Sequence, residues 1–450
     1  MNSDRKKLVI RIFSILLIIL LSIKGLFLIP SMIDNATSEG STEISGFISS
    51  DAVWALENSP YIIIENTLVE ENVNLTIEPG VIIKFNSDKY IRIDGTLYAV
   101  GTESNIITFT SNSKSPERGD WGKIQIEKTS KDSIIKYCRV EYSSEGIDCS
   151  ALMISITDST FYTNGNGIDL HDCDSIIMNN EFINNELGVN EGKNIINNVF
   201  IKNGRSILYG ENVTNNIVIN NDRGIINSNL IQNNYILNNN GGVDIGRKIK
   251  VYNNYIVNNS EYGINILGSA NENITNNIIT NNEIGIEMEQ GATSQIMNNK
   301  IANNKIGINI YFSSSSNEDT NFTIRNNNIQ DNIEYNFRNS VEKKYYMNYN
   351  WWGTTDTSLI DISIYDYQDD FELGKVEYLP ILESPVDVIL QNMLPISELD
   401  LSQYDLDEPK EDSDDDFIDF LGSEFFIAIS VIVIVLGLSI FFYRRKRRDV

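Results

Sequence analysis

The stretch from Ile177 to Ile310 repeats one phrase, and that repeat limits the fold more than any other feature of the chain. The copies read IMNNEFINNELGVN (177–190), IQNNYILNNNGGVDI (231–245), VYNNYIVNNSEYGINI (251–266), ITNNIITNNEIGIEM (274–288) and IMNNKIANNKIGINI (296–310). The first Asn of each leading pair falls at Asn179, Asn197, Asn215, Asn233, Asn253, Asn276 and Asn298, in steps of 18, 18, 18, 20, 23 and 22 residues. Self-similarity at about 20 residues marks a solenoid, in which one coil cannot bury its apolar face without its neighbours.

The apolar positions are Ile, Val and Phe, alone or as I-x-I, which is the period of a short strand with one inward face. Asn, Gly, Ser and Asp lie between them. Asn tolerates the left-handed region better than other residues with a side chain, so these are turns. A leucine-rich repeat needs a Leu framework that is missing. A hexapeptide-built left-handed β-helix would hold to 18 residues, whereas this repeat drifts to 23 and carries an insertion, SSSSNED (313–319). No period of 3.6 persists, which excludes helical repeats. The predicted fold is all-β: a right-handed parallel β-helix whose Asn columns stack into amide ladders along the axis. About eleven coils from residue 131 to Trp351, with two or three before them, give a rod on the order of 60 Å long.

This Asn-column repeat resembles the pectate-lyase-like superfamily over about residues 60–380. It is closer to the broad branch that holds the carbohydrate-binding and sugar-hydrolysis repeats and the β-helix of periplasmic copper-protein maturation factors. The opening phrases IEPGVIIKF (77–85) and GDWGKIQI (119–126), and the closing NWWGTTD from Asn350, resemble the ends of surface β-helix proteins. The resemblance implies carbohydrate as the ligand class. Its copper branch implies metal handling, but soft metal sites want His, Cys and Met. One His and three Cys leave that implication without support.

The chain divides around this rod. Residues 1–40 read as a signal peptide, with Arg5, Lys6 and Lys7 before the apolar run Ile12 to Ile23; an uncleaved signal anchor is the alternative. Residues 41–130 form the N-terminal cap and first coils, 131–350 the regular coils and 351–395 the C-terminal cap. Residues 396–424 form an acidic linker, with eleven acidic residues between Glu398 and Asp419 and Lys410 as the sole base. Residues 425–443 are uncharged and long enough to span a bilayer, and the basic tail 444–450 places the C-terminus in the cytoplasm. The expectation is a membrane-anchored extracellular β-helix. A net charge of −27 argues against nucleic acid as a partner. Glycosylation sequons begin at Asn35, Asn74, Asn212, Asn258, Asn273 and Asn321. A sequon that falls within an Asn ladder would be buried and unmodified.

Candidate chemistry lies on the strand that ends each repeat. The residue between the two inward apolar positions points out, and reads Asp148, Asp169, Asn190, Asp244, Asn265, Glu287 and Asn309. Stacked at strand spacing, this stripe can take the hydroxyls of a polysaccharide or a hard cation such as calcium. A plain solvated sheet face is the bland reading. The densest titratable cluster is Asp169, His171, Asp172 and Asp174, which makes Asp169 and His171 the candidate catalytic pair. No Lys or Arg falls beside the stripe by sequence spacing. Trp121 reads as a plug for the first coils, with a sugar-stacking platform as alternative. Cys138, Cys149 and Cys173 give no even framework; Cys149 sits at an inward position and reads as a buried thiol, with a disulfide between two of the three as alternative. The function expected is carbohydrate binding, adhesion or envelope structure at the cell surface. The alternatives are a polysaccharide lyase or glycoside hydrolase, and a passive stalk.

Overall fold

A computed structural model describes residues 40–399 and 401, except residue 247 and the segments 268–271, 290–293 and 313–321. The signal segment, the apolar span 425–443, the insertion at 313–319, Asn35 and Asn321 lie outside the described residues. Among the described residues no helix is long and apolar enough to cross a membrane.

Each regular coil makes three short strands. In one coil they are Lys250–Tyr252, Tyr255–Val257 and Tyr262–Ile266. The next coil stacks on it in parallel register, with Val251 opposite Ile274, Ile256 opposite Ile279 and Ile264 opposite Ile286. The first strands together make a 13-stranded parallel sheet. The second and third strands make two columns of one 27-stranded sheet, joined near the start by the long strand Tyr61–Val69, which pairs with both Ile82–Phe85 and Ile91–Ile93. The result is an all-β parallel solenoid.

The two members of each Asn pair have different jobs. The first turns the chain in the left-handed region: Asn253 has φ 60° and Asn258 φ 59°, and the same holds from coil to coil. The second is buried and builds the ladder. In the column that runs from Asn180 through Asn198 and Asn216 to Asn350, each backbone N–H and each Nδ2 donates to Oδ1 of the next Asn at 2.8–3.1 Å. A parallel column from Asn164 to Asn332 does the same at the second turn. Each amide thereby satisfies backbone that the turn would otherwise leave buried and unpaired.

Ile, Val and Phe fill the interior. Phe161, Phe182 and Phe200 stack at 5.0 and 4.7 Å between ring centroids. Trp121 is fully buried, as the plug reading required, but it does not cover the first coil. It stacks on Phe85 at 4.0 Å inside the core, with Nε1 donating to Glu141 O at 2.8 Å. Trp54, stacked on Tyr61, lies closer to the open end.

At the other end Asn350 closes its ladder, Trp352 is buried, and Trp351 Nε1 donates to Gln330 Oε1 at 2.8 Å. A short helix α1 (Thr357–Ile362) follows, capped by Asp356. The chain then runs back along the rod. Val386 and Asn328 exchange two bonds, Gln391 and Asn253 exchange two more, and Tyr235 donates to Leu394 O at 2.9 Å. This strap docks on the turn amide of Asn253 and on the strand residues Asn328 and Tyr235, so the cap segment 351–395 also clamps several coils from outside.

Candidate functional site

The outward stripe forms in register where the repeat places it, with Asp148 opposite Asp169 and Asp169 opposite Asn190. Two aliphatic residues then interrupt it, because Asn190 pairs with Leu208, Leu208 with Ile226, and Ile226 with Asp244. Asp244, Asn265, Glu287 and Asn309 continue beyond the gap. The predicted single stripe is therefore two polar segments. Coils 205–208 and 223–226 put branched aliphatics outward, and a template with a polar x skips them.

The first segment is the richer one. Lys123 Nζ donates to Glu145 Oε2 at 2.8 Å and to Asp148 Oδ2 at 2.7 Å. On the other oxygen of Asp148, His171 Nε2 lies 3.4 Å from Oδ1, and it is 3.9 Å from Asp169 Oδ1. Asp169 in turn accepts from Asn166 Nδ2 at 3.1 Å and Asn190 Nδ2 at 2.8 Å. Asp148 is largely buried, whereas the His171 side chain is 55% exposed. Burial works against the charge on Lys123, but its bonds to Asp148 and Glu145 outweigh that, and the ammonium is held above the ordinary lysine range. One coil earlier Gln125 continues the column above Asp148, and one coil before that Arg92 follows, pairing with Asp94 at 2.7 Å and Glu127 at 3.7 Å.

The expectation that no cation falls beside the stripe is thus corrected. Lys123 sits in GDWGKIQI, a coil without the Asn pairs that set the count. A register shift between Glu145 and Ile147 places it opposite Glu145, within reach of Asp148. The cluster Asp169–His171–Asp172–Asp174 is also split. Asp172 turns the corner at φ 53°, and Asp174 pairs with Lys193 on the far side. There they line a separate groove of about 520 Å³.

The second segment is self-contained. Tyr262 Oη donates to Asp244 Oδ1 at 2.6 Å, Asn265 Nδ2 to the same oxygen at 3.2 Å, and Asn309 Nδ2 to Glu287 Oε1 at 3.3 Å. Burial pushes Glu287 above the ordinary carboxylate range. A calcium column does not fit either segment, since the carboxylates are taken by Lys123, amides and a phenol. Among the described residues no three carboxylate, imidazole or thiol groups converge as a metal site. The described sequons all lie off the ladders: Asn258 and Asn273 are exposed, and Asn74 and Asn212 half-buried.

A second groove of about 750 Å³ follows the 13-stranded sheet past Glu211, Lys250, Tyr252 and Glu272. Glu272 is buried; Ser294 bonds one of its oxygens, and the other has no hydrogen-bond partner among the described residues. Burial raises its pKa, so the folded state favours its neutral form. The stability Glu272 contributes is then present below the ordinary carboxylate pKa and lost as pH rises through the folded one. Glu272→Gln is expected to raise the melting temperature at about pH 7 by roughly 2 °C, and the gain should fade towards about pH 4. Thermal melts of both proteins across that range check it.

Two family models match the chain. Residues 46–132 match the pectate-lyase-like β-helix domain and residues 224–343 the right-handed β-helix region. These two stretches lie within the parallel coils described above, so the matches and the structure agree on a β-helix there, and residues 46–132 are similar to the pectate-lyase-like domain. Among curated proteins, Protein bark beetle of Drosophila melanogaster is 40% identical over 85 residues, which is 19% of this chain and 3% of the fly protein. Among solved structures, a double mutant of the periplasmic alginate epimerase AlgG is similar over 75% of this chain and 85% of its own, at 16% identity and a TM-score of 0.47. The A-module of the Azotobacter vinelandii mannuronan C-5 epimerase AlgE6 covers 79% and 94% at 13% identity and a TM-score of 0.29.

Proposed function

We propose that the chain binds a polysaccharide along the face from Arg92 to Asn190. We also propose that it does so outside the cell, anchored by residues 425–443 with the acidic linker as a stalk. The observation that carries the binding reading is the column Gln125–Asp148–Asp169–Asn190, flanked by Lys123 and His171. It offers carboxylate and amide groups at strand spacing, about 4.8 Å, on a parallel face that an extended glycan can follow. Charge narrows the ligand. Two cations, Arg92 and Lys123, face five carboxylates, Asp94, Glu127, Glu145, Asp148 and Asp169, and both cations are paired. An anionic polyuronate would meet like charge there, so a neutral or amino-bearing glycan suits the face better.

His171, set between Asp148 and Asp169, favours a second reading as a carbohydrate-active enzyme. An exposed imidazole beside two carboxylates can move a proton, and two carboxyl groups near one sugar linkage suit glycoside hydrolysis. The test is a panel of neutral, amino-bearing and uronate glycans presented to the full chain, followed by assay of bound glycans for cleavage. Binding to the first two classes is expected, with uronate binding at least tenfold weaker at low salt. Preference for uronates would overturn the charge argument, and no binding to any class would remove the proposal.

A further inference from the structure

Cys149 ends the strand that carries Asp148, and Cys173 lies two residues beyond His171. Their sulfurs are 3.3 Å apart. The backbone on both sides is fixed, because Cys149 O accepts from His171 N at 2.9 Å and Asp148 pairs in register with Asp169. Cys149 is fully buried. Cys173 is 5% exposed and lines the 520 Å³ groove, which gives a reagent access to one sulfur of the pair. We propose that Cys149 and Cys173 are a disulfide-forming pair that takes a small-molecule disulfide from the groove and locks together the two coils carrying Asp148, Asp169 and His171.

The chemistry follows from the asymmetry. Cys173 borders the groove and Cys149 does not, so Cys173 is the first nucleophile. Its thiolate attacks one sulfur of an acyclic small-molecule disulfide such as glutathione disulfide. A mixed disulfide forms and one glutathione thiolate leaves. Cys149 then loses its proton and attacks the Cys173 sulfur, forming the intramolecular bond and releasing the second glutathione. Two protein thiols are oxidised and one disulfide is reduced to two thiols. Cys138 takes no part. It is fully buried, bonded to Ala99 O and Lys136 O, and burial pushes its pKa up to about 12.

The full chain, reduced and then exposed to glutathione disulfide, is denatured and its free thiols are counted with a maleimide. Three adducts are expected before oxidation and one after, the survivor being Cys138 by peptide mapping. Cys149→Ser should stop the reaction at the mixed disulfide and leave glutathione on Cys173. Cys138→Ser should still lose both of its remaining thiols. Three free thiols after oxidation of a chain that keeps its β-sheet circular dichroism would overturn the proposal. So would a bond to Cys138, or glutathione retained on Cys173 in the unaltered chain.

Discussion

Replacing Asn216 by Asp should cost the β-helix about 4 kcal/mol and lower its melting temperature by roughly 8 °C. Asn216 Nδ2 donates to Ile195 O at 2.9 Å, Thr214 O at 3.1 Å and Asn234 Oδ1 at 3.0 Å. A carboxylate of the same shape turns those contacts into oxygen facing oxygen, and buries a charge with no cation near. The loss should depend on pH with a definite sign. The introduced carboxyl has a folded pKa raised above its unfolded one, so stability is recovered below the unfolded value and lost as pH rises through the folded one. Asn216→Ala removes the same donors, leaves Asn198 N without its acceptor and takes one of three acceptors from Asn198 Nδ2, at all pH values. The neighbouring Asn215 is the control. It sits at φ 59° in the turn, so Asn215→Gly should change stability by less than about 0.5 kcal/mol. Melts of the three variants at two pH values test the division of labour within one Asn pair. Equal loss at both positions would contradict it.

That division marks how far the sequence could be read. The pair N-N announces a turn and a column, because Asn is the one common residue that serves both a left-handed turn and an amide ladder. Which Asn does which depends on where the corner falls, and the repeat alone leaves that open. Outward residues were legible only where the period is clean. Asp148, Asp169 and Asn190 lie in register as the G-I-x-I phrase requires, yet Leu208 and Ile226 occupy the same column and carry no polar mark. Lys123 was hidden for a different reason. Its coil has no Asn pair, and the register shift before Ile147 moves it by one position against the Asp148 column. The strap was hidden as well, since its partners are single polar side chains of turn and strand rather than an apolar face. Asn253 and Asn328 hold it through backbone groups of Gln391 and Val386, and backbone groups leave no trace in composition.

Changing Asp169 to Asn is expected to weaken glycan binding about tenfold, the largest effect of a single substitution on the face. Both oxygens of Asp169 already accept an amide, from Asn166 and from Asn190, and its side chain keeps 15% exposure on the outward face. An amide in that place sets its own N–H groups against one of those donors and offers a hydroxyl one acceptor fewer. Asp244→Asn, beyond Leu208 and Ile226, should leave binding within about twofold if the ligand rests on the first segment, because the aliphatic gap separates the two. Equal losses at both positions would mean that the glycan spans the gap. His171→Ala separates binding from chemistry. The imidazole is exposed and lies beside the carboxylates of Asp148 and Asp169, so its removal should leave affinity within about twofold. If His171 moves a proton, cleavage by that variant falls by roughly a hundredfold or more. Cleavage unchanged in His171→Ala would take the imidazole out of the reaction and leave Asp148 and Asp169, in neighbouring strands, as the carboxyl groups to test next.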